Sequence, residues 1–127
     1  MQIGIDARAA LWYRGSGIGT YTYLLIRELI ATDPLNQYKL VYPPAEWVEV
    51  GEDFHLAEGK NKNRTFWQDV QVLPDWDGMD LDIYHNPHNG IGLPPRRRRR
   101  HKLVITIHDL IPFVLPETCS KPYLETA

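Results

Sequence analysis

The sequence predicts an α/β fold, a parallel sheet flanked by helices. Three observations carry this reading. Short apolar runs, several of them β-branched, alternate with helical or long irregular connections, as βαβ units require. A glycine-rich turn, Gly15-Ser16-Gly17-Ile18-Gly19, separates the first run from a long amphipathic stretch. Polar residues gather just after three of the runs, where sheets of this class hold ligands.

The elements follow in order. Residues 2–6 form the first strand and residues 7–15 a loop. A helix is expected over residues 18–31. Ile18, Tyr21, Leu25 and Leu29 recur at helical spacing and define its apolar face. Ser16 suits the N-cap, and Asp33-Pro34 ends the helix. Residues 38–42 are a second strand, closed by Pro43-Pro44. Residues 45–64 are polar, with a short edge strand near 47–50. Residues 66–73 fit either element, and a short helix is preferred. Residues 81–85 form a strand that opens into the turn-rich Asn86-Pro87-His88-Asn89-Gly90. Residues 103–107 read as the clearest buried strand, apolar and β-branched, ending in His108-Asp109.

Composition narrows the classes. The 127 residues suffice for one domain with a core. The formal net charge is -2 although five consecutive arginines run from Arg96 to Arg100. The rest of the chain is therefore acidic, which argues against a nucleic-acid surface. The single cysteine excludes an internal disulfide and fits a reducing compartment. Met1 leads almost directly into a strand, so no signal peptide is expected. No apolar run approaches the about 20 residues of a membrane span. A cytoplasmic location is expected.

Candidate functional residues fall in three groups on one rim: Asp6, Arg8 and the glycines; His85, Asn86 and His88; and His108 with Asp109. Glycines let a backbone approach an anion, and a helix start offers N–H groups to it. The loop does not match a dinucleotide fingerprint, because Thr20 stands where the third glycine belongs. It lacks the Gly-Lys-Ser/Thr of a P-loop. Its other reading is a tight turn for helix packing. His85 and His88 flank a proline in a loop, no cysteine pair or carboxylate cluster joins them, and no metal site is expected.

Residues 2–8 (Gln-Ile-Gly-Ile-Asp-Ala-Arg), Gly15 to Tyr21, Tyr84 to Asn89, and Thr106 to Pro112 with Pro116-Glu117 resemble the N-terminal half of family-4 (group 1) glycosyltransferases. The resemblance spans nearly the whole chain and is weakest at residues 45–81. It implies a retaining enzyme with two Rossmann-like domains in the GT-B arrangement. The C-terminal domain of such enzymes holds the nucleotide-sugar donor, and the N-terminal domain holds a glycan or lipid-linked acceptor. On this resemblance, Gly15, Gly17, Gly19, Arg8, His85, Asn86 and His88 bind phosphate or substrate. His108 and Asp109 belong to the reaction centre. No cofactor or metal is needed, because helix dipoles and basic side chains neutralise the leaving diphosphate.

Family N-terminal domains continue for several more strands and helices. Residues 1–127 are therefore expected to be a partial N-terminal Rossmann-like domain, inactive alone, with the nucleotide-sugar domain absent. Uncovered apolar surface would then favour a homo-oligomer. Glu117 and Glu125 match the spacing of the family's glutamate pair, which belongs to the other domain, so the match is read as coincidence. The arginine run has two readings: weak contact with anionic lipid at the inner membrane face, or a solvated loop, which is preferred. Two other functions stay open, a non-catalytic nucleotide- or phosphate-binding module and a metal-dependent hydrolase built on His85, His88 and His108.

Overall fold

The structure, a computed structural model, describes residues 1–12, 17–50, 66–76, 79–90, 93, 101–108 and 117. Eight elements lie among them: β1 (Gln2–Asp6), α1 (Arg8–Trp12), α2 (Gly17–Thr32), β2 (Gln37–Tyr42), β3 (Glu46–Glu49), α3 (Phe66–Gln71), β4 (Ile83–Asn86) and β5 (Lys102–Ile105). They build a Rossmann-like sheet in the order β3-β2-β1-β4-β5. β1 pairs in parallel with β2 and with β4, and β4 pairs in parallel with β5. β3 is an antiparallel edge strand on β2. The chain moves from β1 to β2 on one side and returns to β4 on the other. The carboxyl ends of β1 and β4 therefore flank the point where strand order reverses, the usual ligand crevice of such sheets.

Strand alternation sorts the side chains into two faces. Ile5, Tyr38 and Leu40 share one face with Ile26 of α2, with Ala10 and Leu11 of α1 and with Ala7 just before it. Val41, Tyr84, Trp76 and Leu81 build a second cluster, on the face that carries Gly4 and Asp6. Gly4 leaves room there for two side chains. A Cβ at this position would lie 2.8 Å from Leu81 Cδ1 and 3.1 Å from the Trp47 ring.

At the amino end of the sheet, α2 stops where Asp33 Oδ1 accepts the Leu35 and Asn36 amides. Hydrogen bonds from Tyr38 and Asn36 hold the Asp33 carboxyl down at about 2, and Tyr38 is pushed up to about 12.

Three expectations are corrected. Residues 8–12 are helical and not loop. Asp6 Oδ1 accepts the Arg8 amide, capping a run of good helix formers too short to display a period. The buried stripe of α2 is Gly19, Thr22 and Ile26, not Ile18, Tyr21, Leu25 and Leu29. Helix α1 packs against α2 and selects its smaller side chains. Thr22 tolerates burial because its hydroxyl donates to the Ile18 carbonyl at 2.8 Å. Finally, β5 is shorter than residues 103–107 and is not buried. Among the described residues it is the sheet's other edge, and Val104, Ile105 and Ile107 are 44%, 39% and 61% exposed.

Candidate functional site

The predicted site residues divide between the two faces of the sheet. Gly15 and Asp109, with the arginine run, lie outside the described residues.

Asp6, Arg8, Asn86 and His88 turn inward and are fully buried. The Arg8 guanidinium donates Nη2–H and Nε–H to Asp6 at 2.7 and 3.0 Å. Its Nη1 group faces the carbonyls of Pro44, Asp69 and Val72 at 2.6–2.9 Å. The buried Tyr84 hydroxyl donates to Asp6 Oδ2 at 3.3 Å, and His88 Nε2 lies 3.5 Å from the same oxygen. Burial alone would raise the Asp6 carboxyl, but the Arg8 guanidinium and His88 hold it below its usual range. Burial pushes the Tyr84 hydroxyl well up, and the Asp6 charge adds to this. Asn86 Oδ1 accepts the amides of His88 and Gly90 at 3.0 and 3.1 Å, so it shapes its own loop. Arg8 thus joins β1 to the chain around α3 and is spent within the fold.

Gly17, His85 and His108 face the open rim on the side of α2. Gly17 opens α2 and is exposed, and among the described residues a Cβ there would meet nothing within 4 Å. Helix packing therefore does not demand a glycine at 17, although Gly19 is buried. His85 Nε2 lies 2.8 Å from Thr106 Oγ1. Burial and the neighbouring His88 lower the His85 pKa, which favours its neutral form. His108 is half-buried beyond the end of β5. Its backbone N–H donates to Asn89 Oδ1 at 2.7 Å, and its Nε2 lies 2.6 Å from the Pro87 carbonyl. A carbonyl only accepts, so Nε2 carries the proton and Nδ1 is left as an acceptor. Among the described residues Nδ1 is not one of the buried atoms that lack a partner, and no hydrogen bond occupies it.

The loop of residues 86–90 aims this imidazole. Thr106 N–H donates to the Asn86 carbonyl at 2.9 Å, and Asn89 N–H donates to the Thr106 carbonyl at 3.0 Å. Asn89 adopts φ 62° and Gly90 φ 80°, conformations that asparagine and glycine reach most readily. Sequence reasoning passed over three rim residues: Tyr21, Asn89 and Thr106. The Asn-Gly pair was the signal for the tight turn. Helical spacing assigns Tyr21 to the apolar face of the helix, and Thr106 enters only as the first residue of a matched segment, so neither receives a role at the rim.

Other placements for a site are weaker. A cleft of about 590 Å³ lies at the amino end of the strands, lined by Asp33, Asn36, Gln37, Tyr38 and Glu49 among others. Its Asp33 carboxylate is already saturated by Tyr38, Asn36 and two amides. Among the described residues no group of three or more His, Cys, Asp or Glu side chains could hold a metal ion. No helix among them is long and apolar enough to cross a membrane. No family model matches the chain, and neither a curated protein nor a solved structure matches it significantly.

Proposed function

We propose that this chain is the acceptor-side domain of a retaining glycosyltransferase, which moves a sugar from a nucleotide-sugar to a glycan or lipid-linked acceptor. One observation carries the reading. α2 opens at an exposed glycine, and one turn later its Tyr21 ring touches the His108 imidazole, whose Nδ1 is an open acceptor, beside the carboxyl end of β4 in a Rossmann-like sheet. The helix start suits a phosphate, through its N–H groups and dipole. The His108 Nδ1 suits a sugar hydroxyl, which donates to it. A ligand bearing both groups spans the rim, and a glycosyl phosphate is the smallest such ligand.

Each residue then has a role. The backbone at Gly17 approaches the phosphate, which a side chain at that position would hinder. His108 orients the transferred sugar and stabilises charge that develops on it, an effect typically worth about 3 kcal/mol. His85, kept neutral, exchanges a hydrogen bond with Thr106 and borders the same rim. Asp6, Arg8, Asn86 and His88 hold the rim in shape from below. In this reading a companion domain holds most of the nucleotide, and no cofactor takes part. The reaction belongs in the cytoplasm.

The test is a titration of the ¹⁵N-labelled chain. Inorganic pyrophosphate should shift the amide resonances of Gly17 and Ile18. A glycosyl phosphate or nucleotide-sugar should shift these and the His108 ring as well. Gly17→Val should abolish both responses, and His108→Ala should weaken only the binding of the sugar-bearing ligands. If no ligand in the panel perturbs Gly17 or His108, the reading fails.

A further inference from the structure

We propose that Tyr21 sets the plane of the His108 imidazole and so acts as a positioning residue for the reaction. The catalytic consequence rests on the glycosyltransferase reading, whereas the geometry does not.

The bond from Nε2 to the Pro87 carbonyl fixes one atom of the His108 ring. It leaves the ring able to tilt about that atom, and the direction of Nδ1 changes with the tilt. The second constraint is Tyr21. Its ring meets His108 edge-on, with centroids 4.8 Å apart and planes at 85°, the geometry that aromatic quadrupoles favour. On its far side the Tyr21 hydroxyl lies 3.4 Å from Thr106 Oγ1, which in turn reaches His85. Core packing does not explain this side chain, because Tyr21 is 37% exposed. Tyr21 also lies one helical turn after Gly17 on α2. The imidazole is thereby tied to the helix whose start is proposed to take the phosphate.

The experiment follows the imidazole Nε2–H proton of His108 in the chain with ¹⁵N-labelled histidine at alkaline pH. Wild type should show it protected from exchange with water. Tyr21→Phe keeps the ring edge and should leave that protection unchanged. Tyr21→Leu should speed exchange roughly two- to tenfold, the range an edge-to-face contact is worth, with an unchanged unfolding midpoint. Carbethoxylation of His108, followed by mass spectrometry, should accelerate in Tyr21→Leu and not in Tyr21→Phe. Wild-type exchange in Tyr21→Leu overturns the proposal, as does accelerated exchange in Tyr21→Phe, which would assign the effect to the hydroxyl. If Tyr21→Leu does not fold, Tyr21→Gln makes the same comparison. Unfolding of both overturns the proposal, since Tyr21 would then act on the fold. Faster exchange in Tyr21→Leu, with no response of wild-type His108 to a glycosyl phosphate, supports the positioning role and removes the glycosyltransferase reading.

Discussion

Two groups of polar side chains lie within a few residues of one another in sequence, yet on opposite faces of the sheet. On one face Asp6, Arg8, Tyr84, Asn86 and His88 are fully buried and hydrogen-bond to each other or to backbone. On the other face Gly17, Tyr21, His85 and His108 are at least partly open, and His108 keeps an acceptor in reserve. Both groups contain histidines and both adjoin strand ends. Their difference lies in where the hydrogen-bonding capacity goes. Within the buried group Asp6 and Arg8 spend their capacity on each other and on backbone carbonyls, because an unmet charge in the interior is costly. The open group holds groups that water satisfies, and a ligand can displace water. The first group is therefore a scaffold, and the second is the surface on which the proposed function rests. Neighbours in sequence such as His85 and Asn86 fall on different sides because strand side chains alternate.

The largest effect expected is the loss of the scaffold. Asp6→Ala leaves the Arg8 guanidinium buried without its partner, and urea denaturation should show a loss of about 3–5 kcal/mol. A loss below about 1 kcal/mol would place Arg8 nearer solvent than its bonds indicate.

Next is the reaction centre. In the full-length enzyme that the proposed function implies, His108→Ala should lower sugar transfer by about tenfold or more, with the affinity for the nucleotide alone little changed. Its unfolding midpoint should stay near wild type. Wild-type turnover with donor and acceptor both saturating would remove His108 from the reaction centre.

Gly17→Val should weaken phosphate and donor binding and leave the fold intact, since among the described residues no atom lies within 4 Å of the added Cβ. Isothermal titration with pyrophosphate measures this. A large stability loss instead would assign the glycine to packing.

The smallest effect separates the two groups by pH. The Asp6 carboxyl is held below its usual range in the folded chain. It contributes stability above about pH 4 that is lost as pH falls toward its folded pKa. His85 is also shifted down, chiefly by burial, and its consequence appears at higher pH. The unfolded chain takes up that proton first, so stability declines slightly as pH drops from about 6.5 toward the folded value. In unfolding midpoints measured against pH, His85→Gln should erase the shallow upper step and leave the acid step. An unchanged upper step in His85→Gln would assign it to another histidine.

Much of this fold was legible locally. β1, β2 and β4, the edge strand near Trp47 and the short α3 lie within a residue or two of expectation, because strand alternation and proline punctuation act over a few residues. The end of α2 followed from Asp33-Pro34 for the same reason, and its start at Gly17 lies one residue before the expected Ile18, the expected N-cap Ser16 lying outside the described residues. The convergence of three strand ends on one rim was also legible, since parallel pairing brings the carboxyl ends together.

What the sequence alone determined was therefore the order of elements and the mostly parallel sheet that they build. Only the tertiary structure decided which polar residues face inward. Asp6 and Arg8 look like ligand groups until α3 and the Pro44 turn supply the carbonyls that consume the guanidinium. It decided as well which stripe of α2 is buried, through the docking of α1, and that apolar β5 forms an edge among the described residues. The physical reason is common to all three. Burial and hydrogen-bond satisfaction belong to what a residue meets across space, whereas propensity and periodicity report only its neighbours in the chain.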